Sequence, residues 1–169
     1  MNNDNYLVVG MGNPGDTYFN TPHNIGSDLV KNYYEQILSI PNVTILLQPT
    51  FVNITGDFIK DFIGVNKNQT YTLIVVVDDI DIKFNDVQIK FNTLARGHNG
   101  IRNIITNFGA GFYRILVGVG KSNNISEYVL TKMDDEKIKD LLQINIYQRI
   151  LDVIQKNNQL NQKNNLTFI

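Results

Sequence analysis

The chain has no cysteine among its 169 residues, so disulfides, thiolate metal sites and a thiol nucleophile are all excluded. It also lacks any apolar run long enough to cross a bilayer. Its short polar start, MNNDN, leaves no room for an apolar signal segment or an arginine-rich presequence. These absences lead to the expectation of a soluble cytoplasmic protein, with an organelle interior as the other compartment. Asn-x-Ser/Thr matches such as Asn53 to Thr55 then need no glycosylation reading. A basic excess is missing as well. Fifteen Lys and Arg against 16 Asp and Glu give a formal net charge of -1 and a pI near 6.1, so any RNA contact must be a local patch. No G-x-S-x-G turn is present to carry a serine nucleophile.

What is present is enough for one well-filled core: 43% of residues are hydrophobic. Tyr6 to Val9 reads as a buried strand, and Ile25, Leu29, Val30, Tyr33, Ile37 and Leu38 recur at helical spacing. Val43 to Leu47 reads as a second strand, followed by the segment PTFVNITG and a helix with Phe58, Ile59, Phe62 and Ile63 on one face. Tyr71 to Val77 is almost continuously apolar and β-branched, as a strand covered on both sides would be, and is expected at the sheet centre. Val87 to Phe91 and Tyr113 to Val119 read as further strands, separated by a short helix with Ile101, Ile104, Ile105 and Phe108. Asp134 suits the cap of a last helix carrying Leu141, Leu142, Ile146, Ile150 and Ile154. The alternation predicts a single-domain, three-layer α/β sandwich with a mixed, mostly parallel sheet flanked by helices. The domain is expected over residues 1–155, with 156–169 as a loose Asn-rich tail.

Gly10, Gly12 and Gly15 have the G-x-G-x-x-G spacing of a dinucleotide turn. Pro14 has no amide hydrogen for a pyrophosphate, and Asp16 through Pro22 keep the chain irregular where a helix should begin. The glycines therefore read as a tight loop presenting Asn13, and a nicotinamide enzyme is disfavoured. The polar candidates follow strand ends, where open α/β sheets place their sites. Asn13 and His23 come after the first strand, Asn53 after the second, Asp78 ends the central one, and His98 with Asn99 opens the short helix. Together they offer an imidazole base, a carboxylate to orient it, and carboxamides that can polarise a carbonyl. A base acting on water is the simplest chemistry for that set.

GMGNPGDTYFNTPHNIG resembles the opening of the bacterial-type peptidyl-tRNA hydrolases, whose pattern is close to G-L-G-N-P-G, a tyrosine, then T-R-H-N-x-G. PTFVNITG, VDDID and GHNG match three further blocks of that family in order and spacing. The resemblance implies hydrolysis of the ester joining a peptide to the terminal ribose of tRNA. His23 would activate water, Asp78 would hold its ring, and Asn13 would complete the catalytic set. Tyr18, Phe51, Asn53, Asn99 and His98 would contact substrate, with His98 touching RNA or supporting the site. No cofactor and no metal is implied, and Asp78, Asp79 and Asp81 read as solvated or capping carboxylates in preference to a Mg²⁺ site. The partner would be tRNA with its attached peptide, met by a monomer without an obligate protein partner.

The chain departs from the family in several places. Pro22 stands where arginine is usual, and Val52 where methionine is usual. NTLARGHNG replaces a glycine-rich run, and KSNNISEYVL is shorter than the family's basic covering loop. Lys90, Arg96, Arg102 and Lys121 are the candidate tRNA contacts, with Arg114 and Lys132 as further cations. The altered run and low basicity keep open a catalytically idle RNA-binding relative, a role that plastid splicing factors of this fold exemplify.

Overall fold

The computed structural model describes residues 4–47, 50–66 and 68–166. Pro49 of the PTFVNITG segment and residues 167–169 of the expected tail lie outside them. Five strands form one sheet: β1 (Asn5–Gly10), β2 (Val43–Leu47), β3 (Tyr71–Asp79), β4 (Val87–Phe91) and β5 (Tyr113–Gly118). Their order is β2-β1-β3-β5-β4. All neighbours run parallel except β4, which is antiparallel to β5. The expected central strand is indeed in the middle.

The period-two alternation of the strands divides the core into two layers. Tyr6, Val8, Ile74, Val76, Ile115 and Val117 face one side, packing with α1 (Ile25–Asn32), α2 (Tyr34–Leu38) and the C-terminal helices. Leu7, Val9, Leu73, Val75, Val77 and Leu116 face the other, against α3 (Thr55–Val65) and α4 (Asn99–Phe108). Each fully buried Val, Leu or Ile contributes roughly 1.5–3 kcal/mol to this three-layer arrangement. Between the outer helices, Asp57 accepts from Asn103 Nδ2 at 2.9 Å and Asn107 Nδ2 at 3.0 Å, tying α3 to α4.

The glycine turn serves packing. A Cβ on Gly10 would lie 2.5 Å from the Gly26 carbonyl oxygen, and one on Gly26 would lie 2.1 Å from the Val76 oxygen. Only glycine at both places lets the start of α1 press against β1 and β3.

Two helical expectations need correction, and one helix was not expected. The segment after His23 is broken at Tyr33 (φ -109, ψ 20) into α1 and α2. A four-residue helix, α5 (Ile125–Tyr128), was not read from the sequence; it is capped by Asn124 and anchored by Tyr128 Oη donating to the Val119 oxygen at 2.7 Å. The expected last helix is two. α6 (Asp135–Leu142) is capped by Asp134, which accepts from the Lys137 amide at 2.9 Å, and α7 (Ile146–Leu166) restarts where Asn145 accepts from the Gln148 amide at 3.0 Å. A new cap of this kind satisfies amides that an unbroken helix would have bonded internally.

Residues 156–166, expected as a loose Asn-rich tail, continue α7. Asn157 and Asn161 donate to Asp4 Oδ2 at 3.1 and 2.7 Å, and Tyr6 Oη donates to Asn158 Oδ1 at 3.0 Å. The asparagines thus clip the helix to β1.

Candidate active site

The strand order reverses between β1 and β3, which places a crevice beyond their C-terminal ends. Asp78, near the end of β3, is 4% exposed and is the buried carboxylate of that crevice. His23 sits in a 3-10 turn at Pro22–Asn24, just before α1, with its amide bonded to the Val129 oxygen at 3.0 Å. Its Nδ1 lies 2.9 and 3.0 Å from the two Asp78 oxygens. His98 reaches the same carboxylate, with Nε2 3.2 Å from Oδ1.

The two imidazoles are wired differently. His98 is the N-cap of α4, and its Nδ1 accepts from the Ile101 amide at 3.3 Å. That nitrogen must be unprotonated, so the ring proton is on Nε2, donated to Asp78. His23 gives its Nδ1 proton to Asp78 and leaves Nε2 without a partner among the described residues. Burial opposes the charged form of His23, but the hydrogen bond and negative charge of Asp78 outweigh it and raise its pKa above the ordinary 6.5. Burial likewise pushes the Asp78 carboxyl up, yet its electrostatic interaction with His98 and the hydrogen bonds from both rings hold it well below the usual carboxylate range. Asp78 is therefore anionic, and His23 is a base made stronger by it. Nitrogen and oxygen atoms of His23, Asp78 and His98 lie within 4.8 Å of one another, the one described group of donors that could hold a metal; here they hydrogen-bond to each other.

These side chains open into a cleft of about 390 Å³, lined also by Ile80, Arg96, Asn99, Ile125 and Leu130. The residues predicted for substrate fall into two groups. Asn99 and Arg96 share the cleft with His23 and His98. Asn13, Tyr18, Phe51 and Asn53 form the adjoining group, joined to the first through the consecutive His23 and Asn24. Asn24, buried and not singled out by the sequence reading, clips the Asn13 backbone from both sides: its Oδ1 accepts from the Asn13 amide at 2.8 Å and its Nδ2 donates to the Asn13 oxygen at 3.0 Å. Its sequence signal was its place directly after His23, at the asparagine of the T-R-H-N-x-G pattern. The Asn13 side-chain oxygen accepts from the Val52 amide at 2.8 Å, which leaves its Nδ2 hydrogens for a ligand. Tyr18 and Phe51 meet edge to face at 6.0 Å, and Asn53 is exposed in the 3-10 turn Val52–Ile54.

The cations behave unequally. Arg96 and Arg102 are exposed near the cleft, Arg102 bonding Asn99 Oδ1 at 3.2 Å. Lys121 is paired with Asp81 at 3.1 Å, and Asp79 Oδ1 accepts from the Asp81 amide at 2.8 Å. Lys132 is exposed, and Lys90 lines a small cavity of about 100 Å³ behind His98. Arg114 is a correction: it is 3% exposed and bonds the carbonyls of Thr93 and Leu94, so it is no phosphate contact.

Residues 7–167 match the family model described as peptidyl-tRNA hydrolase. The chain is 36% identical over 160 residues to the peptidyl-tRNA hydrolase of Clostridium botulinum (strain Alaska E43 / Type E3), covering 83% of each, and 33% identical over 151 residues to that of Campylobacter curvus, covering 82% of each. Its fold is shared with the crystal structure of peptidyl-tRNA hydrolase from Acinetobacter baumannii, at a TM-score of 0.80, 24% identity, and coverage of 96% of this chain and 93% of that one. With its blocks of sequence, its fold and these matches in agreement, the chain belongs to the peptidyl-tRNA hydrolase family.

Proposed function

We propose that the chain cleaves the ester between peptide and tRNA in peptidyl-tRNA, with His23 as general base. His23 Nε2 removes a proton from water as the water oxygen attacks the ester carbonyl, and Asp78 stabilises the imidazolium that forms. The tetrahedral oxyanion is met by the free Nδ2 hydrogens of Asn13, with Asn53 beside it. Collapse expels the ribose oxygen, which takes the proton back from His23. An alkoxide is a better leaving group than an amine, so one base and preorganised amides suffice. His98 cannot serve as the base, because its Nδ1 lone pair is held by the Ile101 amide and its Nε2 carries the proton toward Asp78.

The carrying observation is the 2.9 Å contact of His23 Nδ1 with Asp78, which leaves Nε2 free. Asn99 would position water or the tRNA 3′ end, while Tyr18 and Phe51 would flank the peptide. Arg96 and Arg102 would meet phosphate, with Lys90 and Lys121 supporting them. All of these groups come from one chain, which supports a working monomer, acting in the cytoplasm or wherever its tRNA is translated. The idle RNA-binding alternative is disfavoured, since every group the hydrolysis needs is retained and the base is paired to its carboxylate. The test is release of tRNA from N-acetylated aminoacyl-tRNA, with the free-amine form spared. His23→Ala should abolish turnover and keep tRNA binding; equal turnover would end the mechanism.

A further inference from the structure

We infer that Arg114 is a positioning residue, which latches the loop of residues 92–97 and through it sets His98 against Asp78. The inference rests on the hydrolase reading for its effect on rate, and on geometry alone for its effect on His98.

Arg114 lies inside β5, where a cation is costly to bury unless its hydrogens are used. Its Nη1 donates to the Leu94 oxygen at 2.7 Å and its Nη2 to the Thr93 oxygen, while the guanidinium sits 4.7 Å from the centre of the buried Phe112 ring. The loop it grips has no strand or helix of its own. It turns through left-handed conformations at Asn92 (φ 52), Arg96 (φ 50) and Gly97 (φ 86), and its carbonyls at Thr93 and Leu94 are satisfied by a side chain where a sheet neighbour would otherwise serve.

The loop leads straight to the site. The His98 amide bonds the Ala95 oxygen at 3.1 Å, and Ala95, Arg96 and Gly97 form one wall of the cleft. Arg114, Lys90, His98 and Asp78 also share the 100 Å³ cavity behind that wall, where Arg114 Nε is buried without a partner among the described residues. Two fixed carbonyls on one rigid planar donor constrain the loop as a single flexible ammonium cannot. This latch also answers the loss of glycines in this run: the loop is held from beneath.

His23 and His98 are the only histidines in the chain, so the ring nitrogens of each can be read without ambiguity by long-range ¹H–¹⁵N NMR of the free protein. Wild type should show His98 as the Nε2–H tautomer and His23 as the Nδ1–H tautomer. Arg114→Met, close in length and uncharged, should leave the His23 pattern and average that of His98. In the hydrolysis assay kcat should fall about 10- to 100-fold, the scale expected for a misplaced site wall. Arg114→Lys, able to hold one carbonyl at a time, should be intermediate in both readouts. The inference falls if a folded Arg114→Met keeps wild-type His98 nitrogens and kcat. It falls equally if neither variant folds, since the role is then purely structural. Because the NMR arm uses no substrate, an inactive wild type would overturn the hydrolase reading while leaving the latch to be judged on its own.

Discussion

Replacing Asp78 by Asn tests the centre of the mechanism with almost no change in shape. The carboxylate accepts from two ring nitrogens, His23 Nδ1 at 2.9 Å and His98 Nε2 at 3.2 Å. An amide can accept through one end only, and its other end is a donor that needs a lone pair. His98 cannot supply one without giving up the Ile101 cap, so the amide nitrogen turns toward His23. That ring is then driven to carry its proton on Nε2, which removes the base. The same exchange at a Ser-His-Asp triad lowers kcat by about 10⁴, and a loss of about 10³–10⁴ is expected here. At 1.36 kcal/mol per decade that is about 4–5.5 kcal/mol of barrier. Single-turnover hydrolysis of N-acetylated aminoacyl-tRNA measures it, with KM changing little because the carboxylate touches no substrate atom. The pH profile gives a second reading. His23 must be neutral to act, and Asp78 raises its pKa, so the acid limb of kcat/KM should lie above 6.5 in wild type and move down in the variant. A folded Asp78→Asn protein losing less than about tenfold would refute the reasoning, since the tautomer would then not depend on the carboxylate.

Two further outcomes follow from single residues. Asn13→Ala should lower kcat by about 10²–10³ through loss of an oxyanion donor, and should also cost about 1 kcal/mol of stability, because the Val52 amide loses its acceptor; chemical denaturation alongside the hydrolysis assay separates the two. Asp28, buried in α1 with Oδ2 lacking a partner among the described residues, has its carboxyl pushed by burial from 3.8 to about 6. The folded state therefore binds the proton more tightly than the unfolded chain, and the contribution of Asp28 to stability should fall as pH rises through that window and level off above it. Asp28→Asn should remove the slope and add about 2–3 kcal/mol at pH 8, about 5–10 °C in Tm, since its oxygen can still accept from the Asn20 amide. A wild-type Tm that is flat between pH 4 and 7 would contradict this.

Strands were the most legible part of the fold, because a half-buried or fully buried strand writes its period directly into the residues. β2 and β4 run from Val43 to Leu47 and from Val87 to Phe91, as read from the sequence. Helix ends were harder. The apolar spacing through Tyr33 and through Asn145 continues across both breaks, and what ends each helix is a local amide bond that periodicity does not encode. Arg114 was misread for a related reason: a lone cation in a sequence looks solvated, and only the arrival of the Thr93 and Leu94 carbonyls makes its burial tolerable. The asparagines of α7 looked like compositional drift, since nothing local reveals that Asp4 and Tyr6 wait 153 and 151 residues away.

The site shows the same division most sharply. The residue types alone count two histidines and one well-placed aspartate, and only the family resemblance pointed to His23 as the ring that acts. Both rings reach Asp78, so proximity to the acid does not choose between them. The choice is made at the far nitrogen of each ring. In His98 that atom accepts a helix amide and is spent; in His23 it is unengaged beside the cleft. Asp78 then strengthens one ring as a base while fixing the other in place, and a single buried carboxylate gives two like residues different work. In the proposed mechanism the choice of His23 as base thus depends on the helix cap at Ile101, a bond with no chemistry of its own. Any change that frees His98 Nδ1 would make the two rings compete for the same proton.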